Sequence, residues 1–234
     1  MKASFLADFH VHSNFSDGRH SIPEVIDLYG SHGFGAIAIT DHIAEEGSII
    51  GKASQWLNQV LTPATFPLYR AILQSETIRA WEQYQMIVIP GFELSKNSLS
   101  NHRSAHLLGL GVDDYISADG DVADLCKRIR AQGGLSIAAH PVLSGKFEKQ
   151  TFHLWDRKEE LKTLFDAWEV ASGSILFEAV KNESLPKIAS SDLHDRRQIR
   201  SYKTKLHCEK TREAILQSIK SQQLEVVFYD RTAA

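Results

Sequence analysis

Two pairs of polar residues in this sequence have the spacing of metal ligands on a β-strand. His10 and His12 stand near the start of the chain, and Asp192 and His194 stand near its end. Because side chains alternate along a strand, residues two apart point the same way, so each pair directs two donor atoms toward one point. Imidazole is the commonest protein ligand for zinc and related ions. Each pair is therefore a candidate metal site.

Further polar residues follow other apolar runs. They are Asp41 with His42, Glu93, and His140. If the apolar runs are strands of a barrel, their carboxyl ends meet at the face that carries the active site in barrel enzymes. His106 is different, because it lies at the beginning of an apolar run, where a hydrogen-bonded core histidine is a fair alternative to a ligand.

The elements that position these residues alternate between short apolar strands and helical stretches. The pattern predicts strands at Phe5–His10, Ala36–Thr40, Met86–Pro90, Ala105–Leu110, Leu135–Ala139, Ala167–Val170 and Ile188–Ser190. It predicts helices at Ile22–Gly33, Leu68–Tyr84 and Asp121–Gln132. This alternation indicates an α/β fold with a mostly parallel sheet, and about seven units in one chain favour a barrel. The segment Ile43–Thr65 has no clear period and is either a surface loop or a flap over the site.

The bulk properties limit the classes of function. With 234 residues, 43% of them hydrophobic, we expect one domain spanning residues 1–234 around a single core. The net charge of −3 provides no basic surface for long nucleic acids. Cys126 and Cys208 lack the spacing of a thiolate zinc cluster and suit a reducing cytoplasm. Without a signal peptide or a long apolar run, we expect a cytoplasmic protein that contacts no membrane.

Four short motifs resemble those of a known family. They are His10-Val11-His12 with Ser16-Asp17-Gly18, Thr40-Asp41-His42, Ala139-His140-Pro141, and Ser191-Asp192-Leu193-His194. These motifs are similar to those of the polymerase and histidinol phosphatase (PHP) family of phosphoesterases, over Asp8 to His194. The resemblance implies a distorted (β/α)7 TIM-like barrel that holds up to three divalent ions.

The resemblance also assigns ligands. It implies that one ion is held by His10, His12, Glu93 and Asp192, a second by Glu93, His106 and His140, and a third by Asp17, His42 and His194. Of these nine, the candidate catalytic residues are His10, His12, Glu93, Asp192 and His194. A mixed nitrogen and oxygen set suits zinc, manganese or iron, so two to three ions of these kinds are the expected cofactors.

This metal chemistry favours a phosphate substrate. Three divalent ions outweigh the three carboxylates among the ligands, so the loaded pocket is cationic, and a metal-bridging hydroxide is the expected nucleophile. Small phosphomonoesters are the expected substrates, and a short oligonucleotide is the second candidate. Two further classes of protein fit the same residues: an amidohydrolase-type enzyme, and a non-catalytic regulatory domain that binds metal or a phosphorylated ligand. The sequence leaves the oligomeric state open.

Arginines near the motifs are candidates for binding the phosphate group. Arg103 precedes His106, and Arg196 and Arg197 follow His194. A guanidinium group can bind a phosphate group with two parallel hydrogen bonds. Glu169, on a predicted short strand, is a candidate for orienting a ligand or a substrate group.

Overall fold

The computed structural model describes residues 4–57, 59–98, 104–142 and 152–230. Its strands are β1 (Ser4–Asp8), β2 (Ala36–Ile39), β3 (His42–Ala44), β4 (Ile87–Lys96), β5 (Ala105–Leu110), β6 (Leu135–Ala138), β7 (Ala167–Ser172), β8 (Ile175–Leu176), β9 (Lys187–Ser190), β10 (Ser201–His207) and β11 (Leu224–Tyr229). Its helices are α1 (Ile22–Ser31), α2 (Ile49–Trp56), α3 (Phe66–Tyr84), α4 (Val122–Ala131), α5 (Phe152–Asp156), α6 (Lys158–Leu161), α7 (Glu178–Lys181) and α8 (Arg212–Lys220). A 3₁₀ helix covers Arg196–Ile199.

Seven strands form a curled sheet in the order β1, β2, β4, β5, β6, β7 and β9. Neighbours are parallel, except that β5 is antiparallel to both β4 and β6. Just beyond β9, Leu193 forms a parallel bridge with Val11, which lies just beyond β1. This bridge brings the last strand of the series back against the first. The prediction of an α/β fold with a distorted seven-stranded barrel is confirmed.

The antiparallel direction of β5 is a departure from the mostly parallel sheet that the sequence predicts. Only residues 97–104 separate β4 from β5. A crossover between parallel strands needs a dozen or more residues, so this connection is too short for one and the chain turns back. As a result, the beginning of β5 lies at the edge where the neighbouring strands end.

Strand β4 is longer than the predicted strand Met86–Pro90, and Glu93 lies within it. Ile87–Pro90 pair with β2, and the strand then continues beside β3 and β5. Proline usually limits a strand because it donates no hydrogen bond to the ladder. Here Pro90 stands where β4 changes partners, so the strand continues past it.

The two faces of the barrel strands belong to different cores. On β2, Ala36 and Ala38 pack in the inner core of the barrel, whereas Ile37 and Ile39 pack in the core shared with the helices. Helix α1 contributes one apolar stripe to the outer core, at Ile22, Val25, Ile26 and Tyr29. Its first turn is fixed by Ser21, whose backbone N–H donates to Glu24 at 2.8 Å.

The interpretation of Ile43–Thr65 as a loop or flap is wrong for the part up to Trp56, which contains most of β3 and all of α2. Strand β3 pairs in parallel with β4, with His42 opposite Glu93. Three strand residues and an eight-residue helix are too short to produce a clear period.

The sequence pattern did not predict β10, α8 or β11. Strand β10 pairs antiparallel with β1, and β11 pairs antiparallel with β10, so this hairpin extends the sheet from the edge of β1. Lys203 in β10 is fully buried, which is rare for a lysine, and its neighbours on the same face of the strand, Ser201 and Lys205, give no sign of this burial in the sequence.

Candidate metal centre

Eight of the nine predicted ligands lie at the edge of the barrel where most of its strands end. His10 and His12 follow β1, His42 begins β3, Glu93 lies in β4, His140 follows β6, and Asp192 and His194 follow β9. His106 joins them from the beginning of β5, because that strand runs in the opposite direction. Asp17, the ninth, comes from the connection between β1 and α1 and lies 3.2 Å from His194, between its Oδ1 and Nε2.

Glu93 stands at the centre of the group with its side chain fully buried. Its Oε1 lies 2.8 Å from Nδ1 of His106 and 3.1 Å from Nε2 of His140. Its Oε2 lies 2.9 Å from Nδ1 of His42 and 3.2 Å from Nε2 of His10. Burial raises the pKa of Glu93, but the surrounding histidines outweigh this effect and hold the pKa well below its usual range. Glu93 is therefore an anion in contact with several imidazoles.

Asp192 contacts the fully buried His10 and His12 as well as the partly exposed His194. Its Oδ1 lies 3.2 Å from Nε2 of His12, 3.3 Å from Nε2 of His10 and 3.5 Å from Nδ1 of His194. Burial, reinforced by the neighbouring His42, lowers the pKa of His12 to about 3, so this ring is neutral and offers a lone pair. Burial also opposes the charged form of His194, but Asp17 and Asp192 raise the pKa of that ring to about 9.

Three buried atoms of this group are placed to bind a cation. Within the described residues, Nε2 of His10, Nε2 of His12 and Oε2 of Glu93 lie close to one another but none of them makes a hydrogen bond; Nδ1 of His42, the ring nitrogen nearest to Oε2, is bonded to the Ser95 hydroxyl instead. Buried polar atoms normally have a hydrogen-bond partner, because leaving them unpaired costs free energy. Oε2 of Glu93 lies 3.2 Å from Nε2 of His10 and 3.4 Å from Nε2 of His12. Ligand atoms bound to one ion at 2.0–2.2 Å are separated by about 3.0 to 3.5 Å, so the spacing fits shared coordination.

The donor atoms fall into overlapping groups, each with all its atoms within 4.8 Å of one another. The groups are His12, Asp17, His42 and His194; His10, His140 and Asp192; His10, His12 and Glu93; and His42, Glu93 and His106. The nine predicted ligands are thus brought together, although these groups divide them differently from the sets that the resemblance implies. The arrangement can hold divalent metal ions.

Two of these residues have a backbone conformation that is uncommon outside glycine. The φ angle is +52° at Asp192 and +25° at His140. Such conformations persist only where the surrounding structure holds them, and they are frequent at functional sites. At His140 the backbone N–H donates to Oε2 of Glu169 at 2.8 Å.

Glu169 and Asp41 support the group without joining it. The other oxygen of the buried Glu169 lies 3.0 Å from Nδ1 of His10, which directs Nε2 of that ring toward Glu93. Asp41 accepts from the backbone N–H of Ser13 at 2.8 Å and from its hydroxyl at 2.7 Å. It thereby fixes the start of the connection that carries Asp17.

A cavity of about 720 Å³ opens beside the metal-binding group. Its opposite wall comes from the turn between β7 and β8, at Ser172 to Ile175, and from residues 197, 198, 200 and 201. Among the described residues, those that line the cavity include none from Ile43–Thr65, so a role for that segment as a flap finds no support.

Two of the arginines predicted to bind phosphate lie on different parts of the surface. Arg197 lines the cavity, where its Nε donates to Oδ1 of Asp195 at 2.8 Å. Arg196 lines a separate groove with His20, because successive residues of the 3₁₀ helix point in different directions. Arg103 lies outside the described residues. Arg200, which the sequence did not single out, lines the cavity and pairs with Asp230.

Comparison with protein families places this site in a known context. Residues 8–117 match the family model described as the PHP domain. The resemblance to the PHP family is thereby confirmed. The match contains six of the nine predicted ligands, and the remaining three, His140, Asp192 and His194, lie beyond it.

Solved structures share the fold of this chain. One is a two-domain protein from Bacteroides vulgatus that contains a predicted PHP-like metal-dependent phosphoesterase, with 20% identity and a TM-score of 0.66. The alignment covers 97% of this chain but only 66% of that protein. Another is PsfC from Pseudomonas syringae, with 15% identity, a TM-score of 0.60 and coverage of 98% and 93%.

A third is an amidohydrolase from Chromobacterium violaceum with bound sulfate and no metal, with 16% identity, a TM-score of 0.54 and coverage of 80% and 87%. No curated protein sequence matches this chain. Among the described residues, no helix is both long enough and apolar enough to cross a bilayer.

Proposed function

We propose that this chain hydrolyses small phosphomonoesters and depends on divalent metal ions to do so. The observation that carries this proposal is the convergence of His10 Nε2, His12 Nε2 and Glu93 Oε2, which lack hydrogen-bond partners within the described part of the chain. Glu93, His140 and Asp192 line the cavity, so a substrate that enters it would lie beside the metal-binding group. The PHP-domain match supports phosphate esters as the class of substrate.

The nine clustered residues would hold two to three ions of zinc, manganese or iron, since these ions accept imidazole together with carboxylate. Glu93 would be shared between ions, because each of its oxygens faces a different set of histidines. When bound, such ions activate water and neutralise the charge of a phosphoryl group. We infer that His10, His12, Glu93, Asp192 and His194 form the catalytic part of this set.

The other cavity residues would bind and orient the substrate. Arg197 and Arg200 would contact anionic oxygens at the rim, where their side chains are 78% and 49% exposed. Their aspartate partners hold them in place until a substrate competes for them. Ile175 and Phe177 offer apolar surface to the organic part of an ester.

The size of the cavity and the net charge of the chain favour small substrates over polymers. A volume of about 720 Å³ lies within the range of sites that enclose small molecules. Binding a long nucleic acid depends on many cationic contacts along its backbone. Here the net charge is −3, and the two described arginines of the cavity already have aspartate partners.

The test is a hydrolysis screen on chain that has been stripped of metal and reloaded separately with Mn²⁺ or Zn²⁺. The substrates are phosphorylated metabolites, mononucleotides, short oligonucleotides, and amides or lactones, since one structural relative is named an amidohydrolase. We expect metal-dependent release of inorganic phosphate from monoesters. Release of mononucleotides from oligomers would instead support a nuclease, and turnover of amides alone would refute the proposal.

Three variants show whether the cluster carries the activity. His10→Ala and Asp192→Ala should each lose bound metal and phosphate release together. His207→Ala is the matched control, because His207 is an exposed histidine on β10 that contacts Glu225. Loss of metal from the first two variants without loss of any hydrolysis would favour a non-catalytic binding domain. The single domain over residues 1–234 and the cytoplasmic setting stay predictions.

A further inference from the structure

A buried polar network lies directly beneath the metal-binding group and joins three strands. Its central pair is Asp8, at the end of β1, and Lys203, in β10, both with fully buried side chains. Nζ of Lys203 lies 2.9 Å from Oδ2 of Asp8. Tyr29 of α1 donates its hydroxyl to the same oxygen at 2.7 Å. The donors on Oδ2 fix the orientation of the Asp8 carboxylate.

The other carboxylate oxygen of Asp8 contacts the chain just after β9. Oδ1 accepts the backbone N–H of Ser191 at 2.9 Å. The hydroxyl of Ser191 lies 3.1 Å from the hydroxyl of Tyr29, so the same network holds Ser191 by its backbone and by its side chain. Ser191 follows β9 directly and precedes Asp192. The network therefore fixes Ser191, the residue that precedes Asp192.

Asp192 needs such a support because of its backbone. With φ at +52°, the chain turns sharply after Ser191 to direct the Asp192 carboxylate toward His10 and His12. Residues other than glycine adopt this region only when their surroundings hold them there. A small rotation of the Ser191 peptide would move Oδ1 of Asp192 away from its present place, 3.2 Å from His12 Nε2.

We propose that Asp8, oriented by Lys203, is a positioning residue that holds Asp192 in place to bind metal. The C-terminal strand β10 is thereby part of the metal site, although none of the nine clustered residues lies on it. This inference rests on the proposed metal site, but it concerns metal binding and is independent of which ester is hydrolysed. Removing the support weakens metal binding without removing either residue of the Val11–Leu193 bridge.

The decisive variants are Asp8→Asn alone and Asp8→Asn combined with Lys203→Met. In the single variant, Lys203 and Tyr29 both require the amide oxygen, so the amide NH₂ faces the N–H of Ser191, donor against donor. In the double variant Lys203 no longer competes, and the amide can turn its oxygen to Ser191 and its NH₂ to the Tyr29 hydroxyl. The second substitution should therefore restore what the first removes.

The measurements are the Kd for Mn²⁺ by electron paramagnetic resonance and the visible absorption spectrum of the Co²⁺-loaded chain. We expect Asp8→Asn to weaken Mn²⁺ binding by about 10- to 100-fold, the usual effect of losing a support for a metal ligand. The double variant should bind within about threefold of wild type, with the wild-type Co²⁺ spectrum. Lys205→Met is the control, because Lys205 lies on the same strand in an exposed pair with Glu225.

Equal Mn²⁺ affinities for the single and double variants would overturn the inference, whether both match wild type or both are weaker. If Asp8→Asn does not fold, as circular dichroism would show, Asp8→Leu with Lys203→Met replaces it as the comparison. The Asp8→Leu, Lys203→Met variant has no unpaired buried charge at these positions, but it lacks an acceptor for the N–H of Ser191. It should therefore bind Mn²⁺ more weakly than the Asp8→Asn, Lys203→Met variant. Equal Mn²⁺ affinities for these two double variants would also overturn the inference. Wild-type chain that binds Mn²⁺ but hydrolyses no phosphate ester would refute only the proposed function.

Discussion

Replacing Glu169 with glutamine should weaken metal binding through two of the clustered histidines at once. The carboxylate of Glu169 uses one oxygen for Nδ1 of His10, at 3.0 Å, and the other for the backbone N–H of His140, at 2.8 Å. A glutamine side chain has only one oxygen, so one of these two donors must face an NH₂ group. Either the His10 ring loses its orientation or the uncommon backbone of His140 loses its hydrogen bond.

The expected size of this effect follows from the burial of Glu169. Its side chain is fully buried, so water cannot replace the lost acceptor. Removing such a support typically lowers metal affinity 10- to 100-fold. At about 1.4 kcal/mol for each factor of ten, this is about 1.4 to 2.8 kcal/mol of binding free energy. The free energy of unfolding of the metal-free chain should fall by about 1 to 3 kcal/mol, the cost of one unsatisfied buried group.

Isothermal titration with Mn²⁺ and urea unfolding of the metal-free chain measure the two quantities. Glu178→Gln is the matched control, because Glu178 lies on the surface and pairs with Lys181. That variant should leave the Kd for Mn²⁺ unchanged. If Glu169→Gln bound Mn²⁺ as tightly as wild type, the assignment of Glu169 as the support for His10 and His140 would be wrong.

Three further predictions use simpler measurements. Arg200→Ala should raise the KM for a phosphomonoester roughly fivefold with little change in kcat, since this half-exposed group contributes modestly to binding; steady-state kinetics would show otherwise if kcat fell instead. Ile137→Ala, in the fully buried inner core, should destabilise the chain by about 2 to 5 kcal/mol in urea unfolding, against less than about 1 kcal/mol for Ile175→Ala at 37% exposure. In the metal-free chain, the pKa of His194 is raised to about 9, so protonation of this ring stabilises the fold. That stabilisation is complete below about pH 6.5 and is lost as the pH rises through 9. The wild-type chain in EDTA should therefore lose more stability across this range than His194→Gln, and equal losses would contradict the Asp17 contact as the cause.

The sequence predicted the candidate site better than it predicted the elements that carry it. His10, His12, Asp192 and His194 could be found because each pair has a two-residue spacing that survives any error in strand boundaries. His106 was ambiguous from local pattern alone. Its place at the start of a strand becomes a site position only when β5 runs antiparallel, and strand direction depends on the length of the connection and on tertiary packing.

Other features could not be found because their signals are not local. Lys203 lies on a face of β10 that is polar in sequence, with Ser201 and Lys205, and its burial makes sense only beside Asp8, far away in the sequence. Arg200 gave no signal because nothing in the sequence shows which exposed arginine lies beside a cavity. Arg196 and Arg197 looked equivalent, but one turn of 3₁₀ helix sends them to different surfaces.

The bridge between Val11 and Leu193 has a consequence for how the chain behaves in the absence of metal. It joins two points separated by most of the sequence, and the clustered residues stand on both sides of it, at His10 and His12 and at Asp192 and His194. An ion bound by both pairs acts as a cross-link across a very long loop, and it stabilises the folded chain increasingly as its free concentration rises. Chelation should therefore loosen the seam between the first and last barrel strands before the rest of the sheet. Hydrogen exchange should detect this as faster exchange of the His12 and Leu193 amides, whose backbone bonds form the seam.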